Sequence, residues 1–335
     1  MGLVSASGTY VGYGTGDYSR LICRTVYAPR HAQSGELIRG IRGMLAIPAP
    51  RTHVQASIDD MPLNTVQIGV SEVYDKVDRT RDLGSEYAIS DSAGYLDLVA
   101  EHRLVPGIHR VSYSVANRKP VSANLYTIPA SAKVGIISDV DDTIMITQAP
   151  VPWKAAYNLL FLDPKKKASV PGMSVLFTRI ADLFPGAPFF YLSTSPWNVE
   201  SSIRNFITDH GFPEGPLLLR DLDPRPKTFV PTGPQHKLEF AEQLMADFPD
   251  MKFILVGDDG QKDPTTYATI ARRYPGRVLA IVIRELSPRE STGLASVTGL
   301  TSTQPTPVTD VPVFTGTTGS NILKTMLPYL KTVLR

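Results

Sequence analysis

Along the first 34 residues Gly, Tyr and Ser recur without a sustained hydrophobic period, so residues 1–34 are expected to form an irregular lead-in. From residue 35 to 131 the texture changes to short β-type runs: ELIRGIRGMLAI, HVQASID, TVQIGVSEVYD, GYLDLVAE, HRVSYSVA and ANLYTI. Pro, Gly, Asn and Asp turn residues separate these runs, the pattern of a small antiparallel β-sandwich. A second change falls at Lys133. VGIIS, PFFYLS, GPLLL, MKFILVG and RVLAIVI are continuously apolar, as strands buried on both faces of a parallel sheet must be. Between them apolar residues repeat at helical spacing: Met173, Leu176, Phe177, Ile180 and Phe184; Val199, Ile203, Phe206 and Ile207; Phe240, Leu244 and Phe248; Tyr267, Ile270 and Tyr274. This alternation of strand and helix predicts a doubly wound parallel-sheet α/β domain over residues 132–288, and ligands of such sheets bind beyond the carboxyl ends of the strands. Residues 289–310 read as a Ser/Thr/Pro-rich linker. Residues 311–335 close the chain with a strand, VPVF, and an amphipathic helix expected to dock back on the catalytic domain.

The length of 335 residues exceeds the roughly 250–300 at which a single core stops growing, which agrees with two domains. Hydrophobic residues at 42% and charged residues at 20% exclude a disordered or fibrous chain. With 34 Lys and Arg against 32 Asp and Glu the net charge is +2, so there is no basic excess for a nucleic-acid backbone and none is expected as a partner. The single cysteine, Cys23, cannot close an internal disulfide or build a thiolate metal cluster, and is expected to be a small buried apolar residue. The opening MGLVSASGTYVGYGTG lacks the basic and apolar regions of a secretory signal, and no stretch reaches the roughly 20 apolar residues of a membrane span. Ala6 also breaks the myristoylation pattern. A cytoplasmic protein is expected, at most peripheral at a membrane surface.

The candidate chemistry is concentrated where the buried strands end. SDVDDTIMIT follows VGIIS and sets Asp139, Asp141 and Asp142 within four residues. Like charges so crowded raise one another's pKa unless a cation is present. In such an Asp-x-Asp-x-Thr loop the first carboxylate can attack a phosphorus centre while the second handles the leaving-group proton. A solvated acidic turn is the plainer alternative; a calcium loop is excluded, because its sixth and twelfth positions would be Ile144 and Pro150 instead of Gly and Glu. A second acidic cluster, GDDGQKD, follows MKFILV and offers Asp258, Asp259 and Asp263. Two carboxylate clusters at the ends of buried parallel strands can converge on one hard cation of the magnesium type. YLSTSPW supplies the hydroxyls of Ser193 and Thr194, with Ser195 as an alternative helix N-cap. Lys237, at a helix start where the dipole disfavours a cation, is either an ordinary surface lysine or a functional one.

In this order the four pieces resemble the haloacid-dehalogenase superfamily of aspartate-dependent phosphotransferases. More narrowly, SDVDDTI, YLSTSPWNV, HK before a helix, KFILVGDDGQKDP and YPGRVLAIVIRE look like the actin-patch-protein-type phosphatidate phosphatases, over residues 132–286. The resemblance implies that Asp139 is the nucleophile, forming an aspartyl-phosphate, and that Asp141 is general acid and then base. It implies that Ser193, with Thr143 and Thr194, holds the phosphoryl oxygens and that Lys237 neutralises them. Magnesium would be held by Asp139, Asp258 and the Asp141 carbonyl, with Asp263 orienting Lys237 or the metal's waters. Asp259 departs from the family's usual Ser, and would either tighten the metal site or face water. Arg284 reads as a strand-end residue that either caps surface carboxylates or reaches the substrate, and His236 as a structural residue at the helix start. In the segment 148–171, Trp153, Tyr157, Leu160 and Phe161 precede Lys165, Lys166 and Lys167. That segment is either core packing with a solvated turn or a cap making transient contact with an anionic lipid surface. The expected function is a magnesium-dependent phosphatase of a phosphomonoester, first of all phosphatidate or a related lipid phosphate. A phosphatase of soluble esters, or a binding module with a vestigial site, are the alternatives.

Overall fold

The computed structural model describes residues 3–9, 12–29, 47–63, 65–68, 80–82, 87–91, 94–116, 118–146, 168–196, 200–220, 233–260, 262–287 and 309–334. The ELIRGIRGMLAI run, the greater part of the segment 148–171 and nearly all of the linker 289–310 lie outside them. The chain divides into two compact units that change over between Ala130 and Ser131.

The first unit is all β. Its strands are β1 (Leu3–Thr9), β2 (Gly12–Gly14), β3 (Tyr18–Pro29), β4 (His53–Ile58), β5 (Met61–Pro62), β6 (Thr65–Ile68), β7 (Thr80–Asp82), β8 (Tyr87–Ile89), β9 (Tyr95–Glu101), β10 (Gly107–Ser114) and β11 (Val121–Thr127). Residues 3–29 are therefore not the irregular lead-in expected of them. β1 pairs antiparallel with β3 from Leu3↔Pro29 to Thr9↔Cys23, and β3 pairs with β9. Leu21 and Cys23 of β3 enter the core, while Arg20 forms a two-pronged ion pair with Asp97 of β9 at 2.9 and 2.5 Å. The strands are not divided into two separately hydrogen-bonded layers. Hydrogen bonds join the strands into one eleven-stranded sheet, whose main path runs β5-β4-β10-β11-β2-β3-β9-β6-β7. Val54, Ala56 and Ile58 of β4 share a core with Leu96, Leu98 and Ala100 of β9, although those strands lie far apart in the order. The sheet is thus curled about its own apolar face.

The second unit contains β12 (Val134–Asp139), β13 (Met145–Ile146), β14 (Ala168–Ser169), α1 (Met173–Leu183), β15 (Phe189–Pro196), α2 (Glu200–Asp209), β16 (Leu217–Arg220), α3 (Gly233–Asp247), β17 (Lys252–Asp258), α4 (Asp263–Arg273), β18 (Val278–Arg284), β19 (Val313–Gly316) and α5 (Gly319–Val333). Six of these strands form a sheet in the order β16-β15-β12-β17-β18-β19, with every neighbouring pair parallel. All six residues of β12 and all but the first of β17 are buried, which is why their sequences are apolar without alternation. Each helix turns its apolar stripe inward: Met173, Leu176, Phe177 and Ile180 of α1 are buried, and Phe177 lies within 5.6 Å of the Phe189 ring on β15. α5 starts hard against α1, because Gly319 donates its amide to the Pro171 carbonyl at 2.9 Å. A Cβ on Gly319 would fall 2.2 Å from the Gly172 carbonyl oxygen, so only glycine fits there. β12 and β17 are adjacent in the sheet, yet the chain runs outward from β12 to β15 and β16, and from β17 to β18 and β19 on the opposite side. A crevice at the carboxyl end of a parallel sheet forms where the direction of winding reverses in this way. Among the described residues no helix is long and apolar enough to cross a membrane.

Candidate functional site

β12 ends on Asp139 and β17 ends on Asp258, so the reversal point carries one carboxylate from each strand. Asp263, the first residue of α4, joins them. Oxygens of Asp139, Asp258 and Asp263 lie within 4.8 Å of one another, and all three residues are buried. Gly257 permits the approach of Asp263, since a Cβ at Gly257 would stand 2.3 Å from Asp263 Oδ2. Behind the cluster Tyr267 of α4 donates its hydroxyl to the Val256 carbonyl at 2.9 Å. This ties the helix to the strand.

Lys237, the fifth residue of α3, enters the cluster with an exposure of 1% and is no surface lysine. Its Nζ lies 2.9 Å from Asp139 Oδ1 and 2.5 Å from Asp263 Oδ1. The second oxygen of Asp139 accepts the Thr143 hydroxyl at 3.1 Å, and the Asp263 Oδ2 accepts the Asp258 amide at 3.4 Å. Burial pushes the Asp139 carboxyl up to about 8; Lys237 opposes that rise, and the charges of Asp263 and Asp141 add to it. Asp258 is also driven well above the usual carboxylate range, by burial first and then by Asp263 and Asp139. Burial works against the charge on Lys237, but the carboxylates of Asp139, Asp263 and Asp258 outweigh it and hold the ammonium protonated. Were all three carboxylates ionised, the single ammonium would leave negative charge in excess, which a bound cation would offset. An all-oxygen carboxylate set with such an excess fits a hard divalent cation of the magnesium or calcium kind.

Asp141 lies apart from that cluster and faces the end of β15. Its Oδ2 accepts the Ser193 hydroxyl at 2.8 Å and that of Ser195 at 3.4 Å. Ser193 in turn accepts the Ser195 amide at 3.0 Å. Ser195 is not a helix N-cap: β15 continues through Pro196, and α2 begins only at Glu200. Asp142, directly after Asp141, opens a turn with a left-handed φ of 55° and its amide donated to the Met145 carbonyl at 2.8 Å. Asp139 and Asp141 share one loop but have separate sets of partners. Thr194 is half-buried at the end of β15.

Three further residues are placed differently from expectation or explained by it. Asp259 neither joins the carboxylate cluster nor simply faces water; its Oδ1 accepts the Leu286 amide at 2.8 Å, which fixes the chain after β18. Arg284 is buried at the end of β18 and not at the surface. It is 3% exposed and donates from Nη1 to the Asp142 carbonyl at 2.9 Å. His236 is buried and meets the Phe240 ring edge-on at 4.8 Å, the structural part expected of it. Ser195 is the site neighbour that sequence reasoning missed as such; it carries no signal beyond following a buried strand. The lipid-facing reading of residues 153–167 lies outside the described residues.

The second unit is thus a parallel α/β domain whose reversal point carries a buried aspartate cluster neutralised in part by one lysine. Residues 134–285 match the family described as "Phosphatidate phosphatase APP1, catalytic domain". Through this segment the chain is similar to the APP1-type phosphatidate phosphatases. It is similar to the phosphatidate phosphatase APP1 of Saccharomyces cerevisiae, 29% identical over 211 residues, covering 61% of this chain and 35% of that protein. It is also similar to an uncharacterised protein of Schizosaccharomyces pombe, 26% identical over 176 residues, 52% of this chain and 29% of that one. The matched regions thus span about a third of the length of these curated relatives. Among solved structures, PhoD aligns over 84% of this chain and 61% of its own, at 10% identity and a TM-score of 0.28, a likeness too slight to bear on the fold.

Proposed function

We propose that the chain is a magnesium-dependent phosphatase of the haloacid-dehalogenase type, with a doubly wound catalytic domain, that hydrolyses a lipid phosphomonoester through an aspartyl-phosphate. The observation that carries this reading is Asp139 at the carboxyl end of β12, with Lys237 2.9 Å from one oxygen and Thr143 3.1 Å from the other. Phosphoryl transfer asks a protein mainly to position the reactants and to stabilise charge on the equatorial oxygens. A carboxylate flanked by a buried ammonium and a hydroxyl supplies both. Asp139 and Asp258, with the Asp141 backbone carbonyl, are the residues that would hold magnesium, which when bound supplies positive charge against an anionic substrate.

Asp139 attacks the phosphorus as its ionised carboxylate, and the bond from phosphorus to the ester oxygen breaks. Asp141 gives its proton to that departing oxygen. It then takes a proton from water, which attacks the aspartyl-phosphate, releases inorganic phosphate and restores the Asp139 carboxylate. Ser193 and Ser195 hold the Asp141 oxygen for both transfers. Lys237 balances charge on Asp139 and the transferred group throughout. Phosphatidate is the leading substrate because the Saccharomyces cerevisiae relative carries that activity in its name. The protein would then act from the cytoplasm at a membrane surface. The intact set of Asp139, Asp141, Lys237 and Asp258 speaks against a vestigial site in a binding module.

Trapping the intermediate tests the chemistry. Rapid acid quench with labelled phosphatidate in mixed micelles should leave a hydroxylamine-labile phosphoprotein on the wild type and none on Asp139→Asn. A label that persists on Asp139→Asn refutes the nucleophile assignment. Turnover of para-nitrophenyl phosphate with none of phosphatidate would refute the lipid substrate while keeping the chemistry.

A further inference from the structure

We propose that Arg284 is a positioning residue that holds the Asp139–Thr143 loop in its working shape through the Asp142 carbonyl; as a statement about turnover it rests on the phosphatase reading above. Asp142 is a non-glycine residue in the left-handed region, with a φ of 55°. Such a conformation persists only where its surroundings over-determine it. The surroundings here can be named. Within the loop, the amide of Asp142 bonds the Met145 carbonyl at 2.8 Å, and the amides of Ile144 and Met145 reach the Val140 carbonyl at 3.1 and 3.2 Å. From outside the loop comes the guanidinium of Arg284, 2.9 Å from the Asp142 carbonyl.

Arg284 is placed for this by the sheet. It ends β18 in register with Asp258 of β17, and its own carbonyl accepts the Asp259 amide at 3.0 Å. At 3% exposure its side chain is withdrawn from solvent. One residue therefore bonds both the turn that carries Thr143 to Asp139 and the chain just past Asp258. Because Thr143 follows Asp142 directly and donates to Asp139, a turn that relaxed at residue 142 would displace the hydroxyl partner of Asp139. Reacting groups misplaced by about 1 Å lose rate on the order of 100-fold, and outer-layer partners of a metal site cost about 10- to 100-fold when removed. Lysine does not substitute, because the planar guanidinium presents donors in a fixed fork.

The test compares wild type, Arg284→Ala and Arg284→Lys in para-nitrophenyl phosphate turnover and in amide hydrogen exchange. Turnover should fall about 10- to 100-fold in Arg284→Ala, in kcat and not in KM, with millimolar guanidinium restoring part of it. Arg284→Lys should recover less than the guanidinium does. Independently of any substrate, the amides of Asp142, Ile144 and Met145 should exchange at least about tenfold faster in Arg284→Ala, while Ile136 and Ile137 of β12 keep their protection. Unchanged kcat beside an active wild type, or unchanged loop exchange, overturns the proposal. Exchange that rises across the whole sheet in both variants also overturns it, making Arg284 a structural residue of the core. An inactive wild type would refute the phosphatase reading and leave the loop amides to decide this one.

Discussion

Substituting Gly257 with alanine separates the geometry of the site from the stability of the sheet. An added Cβ would stand 2.3 Å from Asp263 Oδ2 and 2.8 Å from both Asp263 Cβ and Tyr267 Cε2, where ordinary contact begins at 3.4 Å. Asp263 must therefore retreat by about 1 Å. It cannot do so while keeping Lys237 at 2.5 Å and the Asp258 amide at 3.4 Å. Lys237 is then left with Asp139 alone, and a displacement of about 1 Å near the reacting groups costs on the order of 100-fold in rate, or about 2.7 kcal/mol of barrier. Overpacking of this kind costs about 1–3 kcal/mol of stability, with Tm moving roughly 2–4 °C per kcal/mol in a unit of this size. Gly135 on β12 provides the control. A Cβ there meets the Met251 sulfur at 2.6 Å and Phe253 ring carbons at 3.0 and 3.2 Å, and the thioether end of Met251 can swing aside. Gly135→Ala should cost stability and spare kcat, whereas Gly257→Ala should lose kcat at a comparable change in Tm. Both are read by phosphate release and thermal unfolding. A Gly257→Ala enzyme with wild-type kcat would refute the claim that Asp263 must sit against Lys237.

Lys237→Met should reduce phosphate release to near background, because it leaves the buried Asp139 and Asp263 without their ammonium; retention of a tenth or more of wild-type turnover would contradict the charge-balancing part given to Lys237. Ser193→Ala should slow turnover about 10- to 100-fold, as expected for losing a hydrogen bond to a charged group worth roughly 1.5–3 kcal/mol; an unchanged rate would remove Ser193 from the site. In metal-free protein the raised Asp139 carboxyl gives a pH dependence of known sign. The folded acid keeps a proton that the unfolded chain loses near 3.8, so its contribution is full below that pH and is lost as pH rises to about 8. The Tm of metal-free wild type relative to Asp139→Asn should accordingly fall across this window, and magnesium added at neutral pH should release protons; a relative Tm that climbs across it would contradict the burial of Asp139.

The second unit was legible because its strands are buried on both faces. The run of buried residues in β17 has no polar face to interrupt it, and an acidic residue directly after such a run stands out as a strand-end carboxylate. The unit before it was less legible. β3 carries Arg20 and Arg24 beside Leu21 and Cys23, and reads as irregular until β9 supplies Asp97 for the first arginine and the Tyr95 ring, 5.0 Å away, for the second. Polar residues whose partners lie some 70 positions away leave no periodic trace. That the β strands form one curled sheet depends on β2 joining β11 in parallel, through a contact of three residue pairs that no hydrophobic pattern announces. In the site, position in the sequence told which acids end strands but not how they group. Asp263, expected to orient Lys237 or the metal's waters, stands 2.5 Å from the Lys237 Nζ and also groups with Asp139 and Asp258, while Asp141 turns to Ser193 and Ser195. The reach of Arg284 to the Asp142 carbonyl spans two strands of the sheet, and was invisible for the same reason.

The most direct test of the account is phosphate release from phosphatidate in mixed micelles, with and without magnesium, for wild type and Asp139→Asn. The account expects magnesium-dependent release that disappears in Asp139→Asn while the variant keeps its fold. Release that survives the substitution, or that proceeds equally in chelator, would contradict it.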